Sequence, residues 1–193
     1  MKTSQLMRAL VIALALAATS GGAAMAADGA MSSQKTVMVG GAAMYPTKNI
    51  VENAVNSKDH TTLVAAVKAA GLVDTLSGPG PFTVFAPTNE AFAALPAGTV
   101  DTLVKPENKA TLTKILTYHV VSGRYTANDL MALVTKGGGK ATLKSVEGEP
   151  LTVMTAGSGL TVTDEKGGVA NVTIGDVIQS NGVIHVINKV LMP

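Results

Sequence analysis

The hydrophobic pattern of the chain changes its period once, near Gly139, and this change limits the folds open to it. Before that glycine, apolar residues recur at the spacing of three and four that is typical of amphipathic helices. After it, apolar and polar residues alternate in short stretches separated by turn residues. These stretches are ATLKSVE, PLTVMTA, LTVTD, VANVTIGDVI and VIHVINKVL. Helices in the first half and turn-linked strands in the second half predict an α+β domain with a largely antiparallel sheet.

One helix is predicted over residues 106–119, with Pro106 and Glu107 in its first turn. Its apolar face is formed by Leu112, Ile115 and Leu116. The same spacing places His119 on that face, so His119 is predicted to point toward the core.

Two other segments of the first half have clear boundaries. Residues 49–71 carry two apolar stripes at helical spacing, and Gly71 supplies a C-terminal stop. Residues 82–85 read as a short strand, after which Thr88 or Asn89 is the expected cap of the next helix.

Residues 1–26 have the features of a secretory signal peptide: Lys2, Arg8, an apolar stretch and the small-residue site Ala24-Met25-Ala26. The apolar stretch is shorter than the roughly 20 residues that a membrane-spanning helix needs, and no second candidate follows. We therefore expect an exported protein without a membrane span, in the periplasm or outside the cell. Residues 27–45 are small and Gly-rich and are predicted to be a flexible leader, followed by a single domain over residues 46–193.

Composition restricts the chemistry. The chain has no cysteine, which excludes disulfides, a thiolate nucleophile and Cys-ligated zinc. Removal of residues 1–26 takes away two of the 15 basic residues and leaves 13 against 13 acidic ones. A net charge of zero gives no support for binding nucleic acid.

No catalytic or metal-binding motif was found. His60, His119 and His185 are far apart in sequence and form none of the usual paired-histidine zinc motifs. A G-x-S-x-G nucleophile motif is missing, and KGGGKA at 136–141 lacks the first glycine and the Ser or Thr of a phosphate loop. The sequence therefore predicts no catalytic residue, no metal and no cofactor.

Three stretches resemble the fasciclin family in order and spacing: FTVFAPTNEAFAALP (82–96), LTYHVVSGRY (116–125) and SNGVIHVINKVLMP (180–193). The resemblance covers about residues 46–193. It implies an α+β fold in which a wedge or sandwich of strands is flanked by short helices, and in which Thr83–Ala86 lie beside Val183–Ile187. It also implies a non-enzymatic adhesion module that contacts surface or matrix proteins or glycans.

The resemblance further indicates which residues bind. In animal members, the segments that correspond to Tyr118–His119 and to Asp176, Val177 and Ile178 are linked to integrin binding. Here the second segment reads GDVIQSNG, without the Glu-Pro of the animal motif, so a general binding role is implied and integrin recognition is not. Because loops and tyrosines often carry recognition, we expect Tyr118, Arg124 and Tyr125 to form part of a contact surface.

Alternatives remain for His119 and for the whole protein. His119 is expected to be a buried residue whose ring nitrogens bond to backbone or to the turn at Thr88 and Asn89, while Tyr118 covers the opposite side. Asp176 is expected in a turn before a strand. A periplasmic stress protein that binds a small apolar ligand or a metal is the second hypothesis. A hydrolase is the third, and it requires a Ser or carboxylate beside His119.

Overall fold

A seven-stranded sheet organises the computed structural model, which describes residues 36–193. The predicted signal peptide lies outside the described residues. The strands are β1 Val37–Val39, β2 Ala42–Met44, β3 Phe82–Pro87, β4 Val120–Ser122, β5 Lys140–Lys144, β6 Pro150–Ala156, β7 Gly159–Thr163, β8 Val169–Gln179 and β9 Gly182–Ile187. The α-helices are α1 Ile50–Ala54, α2 Thr61–Ala70, α3 Val73–Ser77, α4 Asn89–Ala93, α5 Thr99–Leu103, α6 Lys109–Tyr118 and α7 Ala127–Lys136.

The strand order in the large sheet is β4-β3-β9-β8-β7-β6-β5. The β3 and β9 strands pair in parallel from Phe82 with Gly182 to Pro87 with Ile187, and all the other pairs in this sheet are antiparallel. The two edges of the sheet approach each other where Val146 N donates to Val120 O at 2.7 Å. The result is a nearly closed wedge of strands surrounded by short helices, which confirms the α+β prediction.

Two hydrophobic cores lie on opposite faces of β3 and β9. Val84, Ile184 and Val186 point into a first core, which the helices of the first half cover. Phe85 and Ile187 point into a second core, which lies between the strands β5–β8 and helix α7. A strand that is buried on both faces has a nearly continuous run of apolar residues in its sequence, and both β3 and β9 have such a run.

The segment 49–71 contains α1 and α2, which carry the two predicted apolar stripes, with a short 3-10 helix at Lys58–His60 between them. Asn49 caps α1 through a capping box with Glu52, and the side chain of the buried Asn53 bonds to the backbone N–H and carbonyl of Tyr45. Helix α2 ends at Gly71, whose φ of 74° lies in the left-handed region, as predicted for its C-terminal stop.

The prediction of a flexible leader over residues 27–45 does not hold for its described part. Residues 37–44 form the β1–β2 hairpin, which turns at Gly40 and Gly41, both with positive φ. Val39 and Met44 are 2% and 3% exposed and belong to the first core. Burial of these two side chains orders a hairpin whose strands, at three residues each, are too short to give a clear periodic signal.

Candidate functional site

His119 lies at the C-terminal end of α6 with both ring nitrogens bonded to backbone groups. Leu191 N donates to Nε2 at 2.9 Å, so Nε2 carries no proton, and Nδ1–H donates to Ile115 O at 2.8 Å. Burial lowers the pKa of His119 from its ordinary value of 6.5 to about 4. The ring is therefore neutral at pH 7 and joins α6 to the C-terminal segment.

This geometry agrees with the expected backbone bonding of His119 but not with its bonding to the turn at Thr88 and Asn89. The Asn89 side chain bonds instead to Thr61, to Thr62 N and to Lys58 O. Thr88 caps α4, as one of the two predicted alternatives.

The hydrolase hypothesis fails for His119 on the same geometry. Neither ring nitrogen bonds to a serine or a carboxylate. The carboxylate of Asp164, whose charge acts on the ring, accepts from Gly168 N and Met192 N. Within residues 36–193, no group of three or more His, Cys, Asp or Glu residues is arranged to hold a metal ion.

Tyr118 is wholly buried, so its predicted place in a contact surface is wrong. Its ring lies in the second core, and its hydroxyl donates to Pro150 O at 3.0 Å and accepts from Glu165 N at 3.2 Å. Burial raises the pKa of this hydroxyl. Tyr118 therefore connects the helical half of the domain to the turns of the β-half. His119 is also buried, with 3% of its surface exposed, so it cannot contact a partner directly.

The loop after β4, residues 123–126, is held from below by two side chains. The Thr83 hydroxyl donates to Gly123 O at 2.7 Å and accepts from Tyr125 N at 2.9 Å. His185 Nε2–H donates to Tyr125 O at 2.8 Å, and its ring stacks on Phe85 at 5.7 Å between centroids. Arg124 is exposed and Tyr125 half-buried, so their side chains are presented on a fixed backbone.

Asp176 joins this loop from the opposite direction. It lies inside β8 and not in a turn before a strand, at a register shift between Ile174 and Val177. Its φ of 56° is in the left-handed region, which Asp tolerates better than most residues. The carboxylate accepts from Ala127 N, the first residue of α7, at 2.6 Å, and Arg124 Nη2 donates to Gln179 O at 3.1 Å.

The structure thus brings together two predicted segments that are about fifty residues apart in sequence. Not all of their side chains reach the surface: Val177 is 1% exposed and belongs to the first core, whereas Ile178 is half-buried. The sequence did not predict that Thr83 and His185 anchor the loop, because both bond to backbone atoms of a loop that is distant in sequence. The available signal was that each is a polar residue in an otherwise apolar β-strand.

A shallow groove runs along one face of α7 beside the loop. It has a volume of about 340 Å³, and we call its lining the loop–helix face: Arg124, Tyr125, Asp129, Ala132, Leu133 and Lys136. Asp129 forms the N-terminal capping box of α7 with Thr126, and these hydrogen bonds lower the pKa of its carboxyl. Arg124 and Lys136 add two cations at the surface.

Among the described residues, no helix combines the length and the apolar character needed to cross a membrane.

Comparison with known proteins identifies the family. The family model described as "Fasciclin domain" matches residues 58–193. Protein sll1483 of Synechocystis sp. is 51% identical over 164 residues, which are 84% of this chain and 83% of that protein. Immunogenic protein MPT70 of Mycobacterium tuberculosis is 39% identical over 72% of this chain and 66% of its own length.

Two further proteins extend the comparison to animals. Transforming growth factor-beta-induced protein ig-h3 of Sus scrofa is 38% identical over 77% of this chain but only 20% of its own length. Among solved structures, a domain pair from the insect cell adhesion molecule fasciclin I aligns with a TM-score of 0.69 and 19% sequence identity. The alignment covers 77% of this chain and 52% of the fasciclin I chain, and it shows that the two proteins have the same fold. The chain belongs to the fasciclin-domain family, whose members include cell-surface and adhesion proteins.

Proposed function

We propose that this protein is an exported, non-enzymatic adhesion module that binds a surface or matrix protein or glycan through the loop–helix face. Support comes from the names of its relatives, which include a cell surface glycolipoprotein and a cell adhesion molecule. Export is supported by the signal-peptide features of residues 1–26.

The observation that carries the proposed site is the double anchoring of the loop. Thr83 and His185 hold its backbone from inside the domain, and Asp176 holds the start of α7. A surface whose backbone is fixed before contact loses less conformational entropy on binding than a mobile one.

The side chains on this backbone suit recognition. Arg124 donates one hydrogen bond from Nη2 to Gln179 O, and the other N–H groups of its guanidinium can bond to a partner. Tyr125 presents an amphipathic ring at low entropic cost. Tyr118, His119 and Val177 lie beneath the surface and stabilise the domain without touching the partner.

The test uses beads coated with the chain from residue 27 onward and measures their attachment to cells of the producing organism and to arrayed glycans. Arg124→Glu and Tyr125→Ala are compared with Lys166→Glu and Val169→Ala, which change exposed residues at the opposite end of the β-half. We expect at least a tenfold loss of attachment for the first pair only, since a few residues carry most of an interface energy. Equal attachment of all four variants and the wild type would refute the assigned face, and no attachment of the wild type to any surface would refute the adhesive function.

A further inference from the structure

A second pair of side chains, Tyr45 and Lys48, lies next to Arg124 at the surface. The connection is the peptide group between Gln179 and Ser180, in the turn from β8 to β9. Its oxygen accepts from Arg124 Nη2 at 3.1 Å, and its nitrogen donates to Lys48 O at 2.9 Å. Because the oxygen and the nitrogen of one peptide group lie about 2.3 Å apart, Arg124 Nη2 and Lys48 O are separated by no more than about 8 Å. Lys48, Arg124 and Ser180 are all exposed, so two cations flank one exposed turn.

The turn that carries Tyr45 and Lys48 is fixed from inside the domain. Lys48 N donates to Tyr45 O at 3.0 Å. The Asn53 side chain accepts from Tyr45 N at 3.0 Å and donates to Tyr45 O at 2.8 Å. Asn53 is wholly buried, and its amide also donates to the buried side chain of Gln179. Asn53 and Gln179 therefore hold this turn in place beside Arg124 before any partner binds.

Two of the three tyrosines of the chain reach the surface here, and each has a cation beside it. Tyr45 is 45% exposed, and Lys48 Nζ lies 5.3 Å from the centre of its ring. Tyr125 is half-buried and follows Arg124 directly, and its ring lies against Gly123, where a Cβ would come within 2.8 Å of it. Side chains that are positioned in advance lose less entropy on binding. We call Tyr45, Lys48, Arg124 and Tyr125 the tyrosine–cation surface.

The cations of this surface are free, whereas the carboxylates of the adjoining helices and strand are engaged. Within residues 36–193, the one ion pair lies elsewhere, so neither Lys48 nor Arg124 is paired with a carboxylate. Glu52, Asp129 and Asp176 each accept from a backbone N–H at the start of α1 or α7. Arg124 keeps four of its five N–H donors, in a planar fork that suits a carboxylate or a similar oxyanion. The surface therefore fits an anionic partner.

The backbone of the turn favours a carbohydrate over a peptide as that partner. The Gln179 carbonyl and the Ser180 amide are both already bonded, so the turn offers no free edge to which an extended peptide could add as a strand. The rings of Tyr45 and Tyr125 instead provide apolar faces on which the C–H groups of sugar rings can stack, while the phenol hydroxyls can bond to sugar hydroxyls.

We propose that the tyrosine–cation surface binds an acidic polysaccharide, with sugar rings at Tyr45 and Tyr125 and anionic groups of the same chain at Lys48 and Arg124. The proposal rests on the adhesion function proposed above: it names the chemical class of the partner and extends the site from the loop–helix face across Ser180. The required chemistry is a chain of sugar rings that carry carboxylate or sulfate groups.

Binding is measured by calorimetry with the chain from residue 27 onward. The probes are polygalacturonate, its methyl ester, dextran sulfate, dextran and polyglutamate. If the anionic groups are carboxylates, polygalacturonate should bind about tenfold or more tightly than its methyl ester; if they are sulfates, dextran sulfate should exceed dextran by the same factor. Polyglutamate should bind more weakly than the preferred polysaccharide, because it carries charge but no sugar ring.

Lys48→Glu is the decisive variant, because Lys48 lies outside the loop–helix face. It should weaken binding of the preferred polysaccharide about tenfold, as should Arg124→Glu, while Lys166→Glu in an exposed turn of the β-half should not. Tyr45→Ala should weaken binding about fivefold, whereas Tyr45→Phe, which keeps the ring, should bind nearly as wild type does. The melting midpoint of each variant verifies that it is folded.

Each alternative outcome is decisive. If no anionic polysaccharide binds, or if the uncharged ones bind equally well, the acidic polysaccharide is refuted, and attachment of coated beads to cells would still support the adhesion function. If polyglutamate binds as tightly as the polysaccharides, the sugar contacts are refuted and the partner is an acidic peptide. If Lys48→Glu and Tyr45→Ala bind as wild type does, the extension across Ser180 is refuted. Polysaccharide binding without attachment of the beads to any surface would refute the adhesive function and uphold the binding site.

Discussion

Acidification is expected to weaken the domain through His119, and the size of the effect follows from its burial. The pKa of His119 is about 4 in the folded domain and about 6.5 in the unfolded chain. Above pH 6.5 neither state holds the proton. Between pH 6.5 and 4 only the unfolded state binds it, so the free energy of unfolding falls by up to about 1.4 kcal/mol per pH unit. Below pH 4 both states bind it and the loss ends, at about 3 kcal/mol in total.

The experiment isolates this contribution by comparison with His119→Ala. At pH 7 the variant should be less stable by about 1–3 kcal/mol, because it leaves a cavity and deprives the buried Leu191 N–H of its acceptor, while Ile115 O keeps only the backbone N–H of residue 119. The difference between wild type and variant should then shrink as the pH falls to 4 and reach zero or change sign, since only the wild type loses the His119 contribution of about 3 kcal/mol. Urea unfolding followed by far-UV circular dichroism gives the free energy of unfolding at each pH.

The control is Leu112→Ala, which removes a buried apolar side chain of the same helix. Its destabilisation should be the same at pH 7 and pH 4. Burial also lowers the pKa of His60 and His185, but both remain in every variant, so their contributions cancel in the differences. If the difference between wild type and His119→Ala is constant from pH 7 to 4, His119 is not a buried neutral histidine and the reasoning is wrong.

Two further changes test the polar anchors of the domain. Tyr118→Phe keeps the ring but removes the hydroxyl between Pro150 O and Glu165 N. We expect the free energy of unfolding, measured with urea, to fall by about 1–3 kcal/mol. An unchanged unfolding midpoint would contradict the bonding of the hydroxyl. Asp176→Ala should lower the free energy of unfolding by about 1–2 kcal/mol, because Ala disfavours a φ of 56° and cannot accept from Ala127 N. Asp176→Asn should lower it less, because Asn tolerates this φ and keeps an oxygen acceptor. Equal losses for the two variants would show that neither the φ nor the hydrogen bond to Ala127 N contributes to stability.

The sequence was most informative where periodicity and a single core face coincide. The spacing in α6 predicted the inward direction of Leu112, Ile115 and His119, and all three are buried. The pairing of Thr83–Ala86 with Val183–Ile187, implied by the family resemblance, is confirmed by the register of β3 and β9. The inward direction of the α6 side chains is specified by a local pattern, which a single chain displays directly.

The same reasoning failed for Tyr118 because it assumed one core. Tyr118 precedes His119 by one residue, so helical geometry turns the two side chains about 100° apart. With one core, Tyr118 would face solvent. The end of α6 lies between two cores, and the face opposite to Leu112 is covered by the β-half as well. The sequence pattern gives the direction of a side chain but not what covers it.

The anchors of the loop could not be predicted for a related reason. His185 bonds to the carbonyl of Tyr125, sixty residues away, and Asp176 bonds to the amide of Ala127, forty-nine residues away. Every residue has a carbonyl and every residue except proline has an amide, so such a partner leaves no mark on the sequence. Asp176 occupies a backbone position with an unusual, positive φ. Asp residues with such a φ are also common in turns, and for this reason Asp176 was expected in a turn.

The distinction between anchors and contacts has a consequence for adhesion itself. A variant of Tyr118 or His119 can lower attachment only by raising the fraction of unfolded or locally opened molecules, since neither side chain reaches the surface. Its effect should therefore disappear when the folded state is favoured by cooling toward the temperature of maximum stability or by an excluded osmolyte. Arg124→Glu acts on the folded surface, so its loss of attachment should persist under the same conditions. Recovery of Tyr118→Phe without recovery of Arg124→Glu is the expected result, and persistent loss in a fully folded Tyr118→Phe domain would mean that this buried hydroxyl shapes the contact surface directly.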